Sequence, residues 1–431
     1  MLIEFRVANF RSFEEEQTIS LVASKDEKHP DNMIPCEKSN LLKAAAIYGS
    51  NASGKSNLVK AIGVARQFVR NSATRMNVGD KIRGIVPFRL DADSRMKPSS
   101  FEMTVVVDGT RFNYSFSATS DRVHDERLVA YAPRAQRWFE RRFDLETKQT
   151  VWAFRGPLRA EERILKEKTR DNGLVLSRGA ELNIKPLSEL FLWFRRLWVF
   201  DLSDQPVGLI MMETAKRIKE DPVFANRVIQ MTRHADLGID AVTVAEESFR
   251  AEEFPTEMKA LLSEKAMHEV LTTRLVVHTT HRILHSNAQV EFDLGEDESN
   301  GTKRFFSLAG PILDALDNGA VVVVDELDCS LHPLLTRKLI ELFQSPEANK
   351  KGAQLIFVTH DSTLMDPELF RRDQIWMVEK NSSGASELFS LYDFDTKDRP
   401  RNTEAFQRNY LAGRYGGVPK FGPIFENLET K

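Results

Sequence analysis

Cysteine is almost missing from this chain: of 431 residues, only Cys36 and Cys329 are cysteines. Two thiols can build neither a disulfide framework nor a four-cysteine zinc site. Long apolar runs are missing as well. No stretch approaches the ~18–20 apolar residues that span a bilayer, and Glu4 and Arg6 interrupt the opening MLIEFRVANF where a secretory leader needs its apolar core. Charge of one sign is also scarce, with 60 Lys and Arg against 63 Asp and Glu and a formal net charge of −3. That balance excludes a histone-like protein that holds DNA by bulk charge, while leaving room for a local basic groove. Internal repeats, low-complexity blocks and a sustained heptad array are absent too, so no long coiled coil is expected. The expectation is a cytoplasmic protein with no membrane segment. Its length suggests two or three domains.

What is present has α/β texture near both ends. Ile3, Phe5 and Val7 alternate with Glu4, Arg6 and Ala8, the period of a half-buried strand. AAAIY at 44–48 is a short apolar run entering a glycine-containing turn, and SNLVKAIGVARQFV from Ser56 reads as a helix. In SFEMTVVVDGTRFNYSFS (100–117), two alternating runs flank Asp108-Gly109, the pair suited to a tight hairpin turn with positive φ at both central positions. LSELFLWFRRLWVF (187–200) carries a helical apolar stripe, and 207–270 reads as mostly helical with a break at Asp236-Leu237-Gly238-Ile239. Beyond Asn300, VVVVDE (321–326) and QLIFVTH (354–360) have the length and β-branched content of buried parallel strands, joined by the helix HPLLTRKLIELF with Pro333 in its first turn.

The chemistry concentrates in four places. Gly49-Ser50-Asn51-Ala52-Ser53-Gly54-Lys55-Ser56 is a complete G-x-x-x-x-G-K-S between a strand and a helix. Its backbone N–H groups and the helix N-terminus suit the phosphates of ATP, Lys55 suits the β- and γ-phosphates, and the Ser56 hydroxyl suits Mg²⁺. Val321 to Glu326 ends in two acids at a strand's carboxyl edge, where Asp325 suits the metal and Glu326 is placed to polarise a water as general base. His360 ends the next strand and could contact the γ-phosphate. Glu298-Ser299-Asn300-Gly301-Thr302-Lys303 opens a helix and forms a second anion-binding corner around Ser299 and Gly301. Two such corners make sense if one serves this chain's ATP and the other that of a second copy.

Together these pieces resemble an ABC-type ATPase head of the branch containing RecF, SMC and the overcoming-lysogenization-defect (OLD) proteins. NFRSF, YGSNASGKSN, ADLGI, ESNGT, DELDCSLHPLL, QLIFVTHD, DQIWMVEK and YLAGRYGGVP, from residue 5 to 419, are similar to the AAA-family ATPases of abortive-infection and anti-phage systems, the PARIS-type and restriction-linked ATPases among them. The resemblance implies an α/β fold, an ABC-type head of P-loop NTPase class split by an inserted α+β lobe. It implies an N-terminal half-head over 1–90, an inserted hairpin and helical lobe over 91–284, and a C-terminal half-head over 285–431. By the same resemblance Ser299 and Gly301 form a signature motif supplied in trans. Asn57 closes the phosphate-loop match, and Asn9, Arg11 and Ser12 lie beside the nucleotide. No glutamine follows the first helix where relatives carry one; Pro87-Phe88 occupies that segment.

The resemblance further implies slow, regulatory ATP hydrolysis in a homo-oligomer, a head dimer or a ring of dimers. It implies a separate effector of the Toprim nuclease type and a phage protein as trigger; the stretch after His360 is shorter than a nuclease domain. A contact with nucleic acid is compatible with this without being required. Two rivals stand beside it: a RecF-like DNA-binding repair ATPase, and a scaffold that binds ATP with little turnover. Residues 134–170 bear on the first, with eleven Lys or Arg against six acids and interleaved Trp138 and Trp152. They read either as a surface tracking a phosphate backbone or as a hairpin with a charged outer face. The six acids favour the hairpin. His278, His281 and His285 have metal-like spacing, but a strand would splay them to opposite faces. Asp393-x-Asp395 reads as solvated acids in a turn, and Cys329 as a small packing residue.

Overall fold

The computed structural model describes residues 1–36, 39–132, 134–201, 207–247, 274–286, 288–394, 400–401 and 404–419. In chain order the first strands are β1 (Leu2–Ala8), β2 (Gln17–Ser20), the short pair β3 (Met33–Ile34) and β4 (Leu41–Leu42), and β5 (Ala44–Tyr48), which runs into helix α1 (Lys55–Asn71). Five further strands follow: β6 (Ser99–Val107), β7 (Thr110–Ala118), β8 (Val123–Tyr131), β9 (Ala135–Phe143) and β10 (Thr150–Phe154). Helices α2 (Glu162–Lys168), α3 (Val175–Glu181) and α4 (Lys185–Arg196) lead to β11 (Trp198–Asp201). Next come α5 (Val207–Glu220), α6 (Pro222–His234), β12 (Ala241–Glu247), β13 (Arg274–Arg282), β14 (Gln289–Asp293) and α7 (Asn300–Asn318). The chain closes with β15 (Val321–Asp325), α8 (Pro333–Gln344), β16 (Gln354–Val358), β17 (Ile375–Lys380), β18 (Ser386–Ser390) and α9 (Phe406–Leu411).

The α/β class is as expected. One sheet has the order β11-β15-β16-β5-β17-β18, parallel except for the antiparallel edge β18. Every residue of β5, β15 and β16 is buried, which is why these runs are apolar throughout rather than alternating. Helix α1 covers the sheet through Leu58, Val59, Ile62, Ala65, Phe68 and Val69, a stripe at helical spacing. The second sheet, β10-β9-β8-β7-β6-β1-β2, is antiparallel. The Asp108-Gly109 turn falls between β6 and β7 with φ of 47° and 78°. Its inner face carries Phe101, Tyr114 and Phe116, with the Phe101 and Phe116 rings stacked at 5.1 Å. Each such ring contributes roughly 1.5–3 kcal/mol by leaving water.

The chain forms two compact units, Met1–Ser203 with Ala315–Asp328 and Thr336–Lys431, and Asp204–Asp314 with Cys329–Leu335. Within the first unit β6 pairs with β1, Phe5 opposite Met103 and Val7 opposite Phe101, and β11 lies parallel to β15. Trp198–Asp201 is therefore a strand, not the continuation of the α4 stripe that its apolar pattern suggested. In the second unit α5 and α6 occupy the region expected to be helical, and the break falls as expected, but 241–247 is a strand. Residues 248–270 lie outside the described residues, as does Asp395. The β12-β13-β14 sheet completes this unit, around Phe224, Val228, Val242, Val277, Phe306 and Leu313.

The basic stretch 134–170 contains the β9–β10 hairpin. Arg141 is buried, 3.0 Å from the buried Glu126 carboxylate, and Phe139 and Phe154 face the core, while Arg134, Arg137, Arg142 and Arg155 stay outside. Among the described residues, no helix is long and apolar enough to cross a membrane.

Candidate functional site

The site grows from the carboxyl ends of the parallel strands. The chain leaves β5 at Tyr48, turns through Gly49–Gly54 and enters α1 at Lys55. Gly54 has φ 114°, and a methyl group there would stand 2.2 Å from Ser386 Oγ and 2.6 Å from Ser12 Oγ. Only glycine lets the loop pass between these two hydroxyls. Ser12 is thus beside the loop: its Oγ accepts from Asn57 Nδ2 at 2.8 Å, and its carbonyl accepts from Ser386 N–H at 2.7 Å. The Ser386 hydroxyl in turn donates to the Ser53 carbonyl.

Lys55 is buried, and its Nζ donates to the Gly49 carbonyl at 2.7 Å and the Ser50 carbonyl at 2.9 Å. Burial lowers its pKa to about 8, against the opposing pull of Asp325, Glu326 and Asp328. The ammonium is therefore tethered to the loop's own oxygens, in reach of any anion the loop encloses.

Asp325 ends β15 with no exposure, and neither carboxylate oxygen makes a hydrogen bond. Burial raises its pKa to about 6. The facing Ser56 hydroxyl and Lys60 pull the value down, while Asp201 and Glu326 push it up. A fully buried carboxylate faced by little more than a hydroxyl is costly unless something binds it. An orphaned carboxylate opposite a hydroxyl is the donor set a hard divalent cation takes, so the residues present fit Mg²⁺. Glu326 follows at φ 53°, a left-handed backbone that turns its side chain out of the strand's alternation. At the end of β16, His360 donates its N–H to Asp328 at 3.3 Å. Partial desolvation of the ring, and then the Lys55 ammonium, hold the His360 pKa below its ordinary 6.5.

The Ser299–Gly301 corner belongs to the other compact unit. The Ser299 hydroxyl accepts the Thr302 N–H at 3.1 Å and bonds the Thr302 hydroxyl at 2.9 Å, capping α7. Gly301 allows a close approach, since a methyl group there would meet the Ser330 carbonyl at 2.6 Å. Glu298, just before the cap, accepts from Thr279 Oγ1 at 2.5 Å and lies 2.6 Å from His281 Nε2. His281 therefore braces this corner, whereas His278 lies 3.5 Å from Glu247.

The Asn9 side chain donates to the Ser94 and Lys97 carbonyls and accepts from Phe88 N–H, which organises the loop after α1. Arg11 donates its N–H to the Val86 carbonyl, and its guanidinium lies over the Phe10 ring. Cys329 is exposed rather than packed. Reading the sequence also missed Asp201 and Lys60. Asp201 stands beside Asp325 in parallel register and 3.4 Å from Lys60 Nζ, which is one turn beyond Ser56 on α1. The only signal was an acid ending an apolar run, and that run was assigned to a helix.

Residues 44–366 match the family described as "AAA domain, putative AbiEii toxin, Type IV TA system". The chain belongs to this AAA family. The matched span opens on β5, the strand that delivers the phosphate loop, and contains Asp325, Glu326 and His360 as well as the Ser299 corner. No curated protein matches the chain. Among solved structures, the SMC head domain from Thermotoga maritima is 15% identical, with a TM-score of 0.38, covering 90% of this chain and 98% of that one. An SmcHead bound to the C-winged helix domain of ScpA is likewise 15% identical at a TM-score of 0.38, covering 90% of this chain and 97% of its own.

Proposed function

We propose that this AAA domain protein binds and slowly hydrolyses ATP, and that it works as a nucleotide-dependent switch. The observation that carries the reading is the buried Asp325 carboxylate, without a hydrogen bond, held opposite Ser56 beside a loop whose lysine is parked on the Gly49 and Ser50 carbonyls. Loop N–H groups from Gly49 to Asn57 would wrap the phosphates, and Lys55 would leave its two carbonyls for the β- and γ-phosphate oxygens. Ser56 and Asp325 would hold Mg²⁺, which when bound neutralises charge on the β- and γ-oxygens. Glu326 would orient and deprotonate the attacking water, releasing ADP and phosphate. His360 would report loss of the γ-phosphate. Arg11 and Ser12 would flank the nucleotide.

Ser299 and Gly301 would complete the site of a second copy, so that ATP draws heads together in a dimer or a ring of dimers. The family's description names the AbiEii toxin and a Type IV TA system, which fits the anti-phage role, in the cytoplasm, that we assign to the switch. There the switch would hold or release a separate effector, a Toprim-type nuclease, in response to a phage protein. Burial of Arg141 against Glu126 removes charge from the stretch that the DNA-repair rival relied on.

The test is ATP affinity and turnover of purified variants. Lys55→Ala should bind ATP at least about tenfold more weakly. Glu326→Gln should keep ATP, lose turnover and run as a larger particle only when ATP is present. Unchanged affinity in the first variant would displace the phosphate loop from the reading, and unchanged turnover in the second would remove Glu326 as the base.

A further inference from the structure

The segment YLAGRYGGVP near the carboxyl end carries no role in the switch described above, yet it reaches the phosphate loop. Helix α9 leads into a turn in which Gly413, Gly416 and Gly417 all have left-handed φ, 76°, 70° and 65°. A methyl group on Gly417 would stand 3.3 Å from the Cα of Gly49, the first residue of the phosphate loop, and 3.6 Å from Met377 Sδ. On the loop's other flank, a methyl group on Gly49 would lie 2.3 Å from the Val378 carbonyl. The start of the loop is therefore held between β17 and this turn, with no room for a side chain on the β17 contact and a tight fit, at a left-handed φ, on the Gly417 contact.

The turn is anchored rather than merely adjacent. Glu379 Oε2 accepts the Gly417 N–H at 3.0 Å, and a methyl group on Gly416 would collide with that same oxygen at 2.2 Å. The Tyr410 hydroxyl donates to the Gly417 carbonyl at 3.2 Å, and its ring lies 6.0 Å from that of Tyr48, the residue just before Gly49. Tyr415 is buried, and its hydroxyl accepts from Asn409 Nδ2 at 2.9 Å. Thus a hydrogen-bonded turn some 370 residues downstream touches Gly49, one of the two loop residues whose carbonyls tether the Lys55 ammonium.

We propose that Gly417 is a positioning residue of the nucleotide site, acting through Gly49, with Glu379 and Tyr410 as its anchors. The turn fixes where the Gly49 carbonyl points, and hence where Lys55 waits before ATP arrives. This rests on the phosphate-loop reading above, and it assigns part of that site to the carboxyl-terminal segment.

The experiment measures ATP affinity with a fluorescent ATP analogue and amide hydrogen exchange over residues 49–55 in the full chain without nucleotide. Wild type, Lys55→Ala, Gly417→Ala and Gly413→Ala are compared. Gly413 is the control: its φ is equally left-handed, but a methyl group there meets only Val418 at 3.5 Å. Gly417→Ala should weaken ATP about tenfold and speed exchange across the loop, while Gly413→Ala leaves both near wild type. Should Gly417→Ala fail to fold, Glu379→Ala removes the anchor while keeping the glycines, and the same two changes are expected. Wild-type affinity in the Gly417 variant, or an equal loss in the Gly413 control, overturns the proposal. If Lys55→Ala itself binds ATP normally, it is the phosphate-loop reading that fails.

Discussion

Asp325 and Glu326 sit side by side at the end of β15 and bear different strains. Glu326 holds a left-handed backbone that costs on the order of 1–3 kcal/mol for a residue other than glycine. Asp325 holds a buried charge with the Ser56 hydroxyl facing it. Its folded-state pKa of about 6 lies above the ordinary 3.8, so between those values the folded chain keeps a proton that the unfolded chain has released. Stability from this group therefore falls as pH rises from about 4 to about 6, and stays lowered above that. Without nucleotide or metal, Asp325→Asn should be more stable than wild type at pH 7 by about 1–3 kcal/mol. The advantage should vanish at pH 4. Urea denaturation at both pH values checks this. A variant no more stable than wild type at pH 7 would mean that the buried charge carries no such penalty.

At the scale of elements, Glu126 does for α3 what no side-chain cap does at that helix's own N-terminus. Its carboxylate accepts the N–H groups of Val175 and Leu176 at 2.8 and 3.1 Å and the Tyr114 hydroxyl at 2.8 Å, and it balances the buried Arg141. Glu126→Gln keeps the shape but leaves a buried guanidinium without its counter-charge, which should destabilise the protein by about 3 kcal/mol. A lower melting temperature, with unchanged ATP affinity in the folded protein, is the expected result. No sequence pattern announced this network, because Arg141 reads as one more charge in the basic stretch and Glu126 lies outside it until β8 and β9 pair. By contrast, Asp108-Gly109 and the apolar run of Val321–Val324 were legible, since turn geometry and two-sided burial leave direct marks on residue choice. Trp198–Asp201 was misread because the apolar run Leu197–Phe200 after a helix continues its stripe as well as it forms a strand. Gly416 and Gly417 entered only within the resemblance motif YLAGRYGGVP, which does not say what the segment touches.

At the scale of the whole molecule, Lys55, Asp325, Glu326 and His360 belong to one compact unit, and Ser299 and Gly301 to the other. If the two corners serve different copies, each can be broken separately. Ser299→Arg should bind ATP as wild type does yet fail to hydrolyse it, and Lys55→Ala should fail at binding. Mixing the two inactive proteins should restore turnover to about a quarter of wild type, because half of random pairs are mixed and each of those holds one intact site. ATPase assays on the mixture decide it. No recovery would place both corners in service of the same chain.

The parallel sheet also sets a schedule. Strand β5 hydrogen-bonds to β16 on one side and to β17 on the other, so the strand that launches the phosphate loop has neither neighbour until about 300 further residues have been made. At 5–20 residues per second the wait is roughly 15–60 s. The turn at Gly416-Gly417 arrives later still. A ribosome-bound fragment therefore has Lys55 and every loop glycine long before it has a place to put a nucleotide. A chain cut short by a stalled ribosome or a protease, though it carries the whole motif, would remain inert rather than half-active. For a protein proposed to unleash a partner on its own host, competence that comes only with the last stretch of the chain is a built-in safeguard.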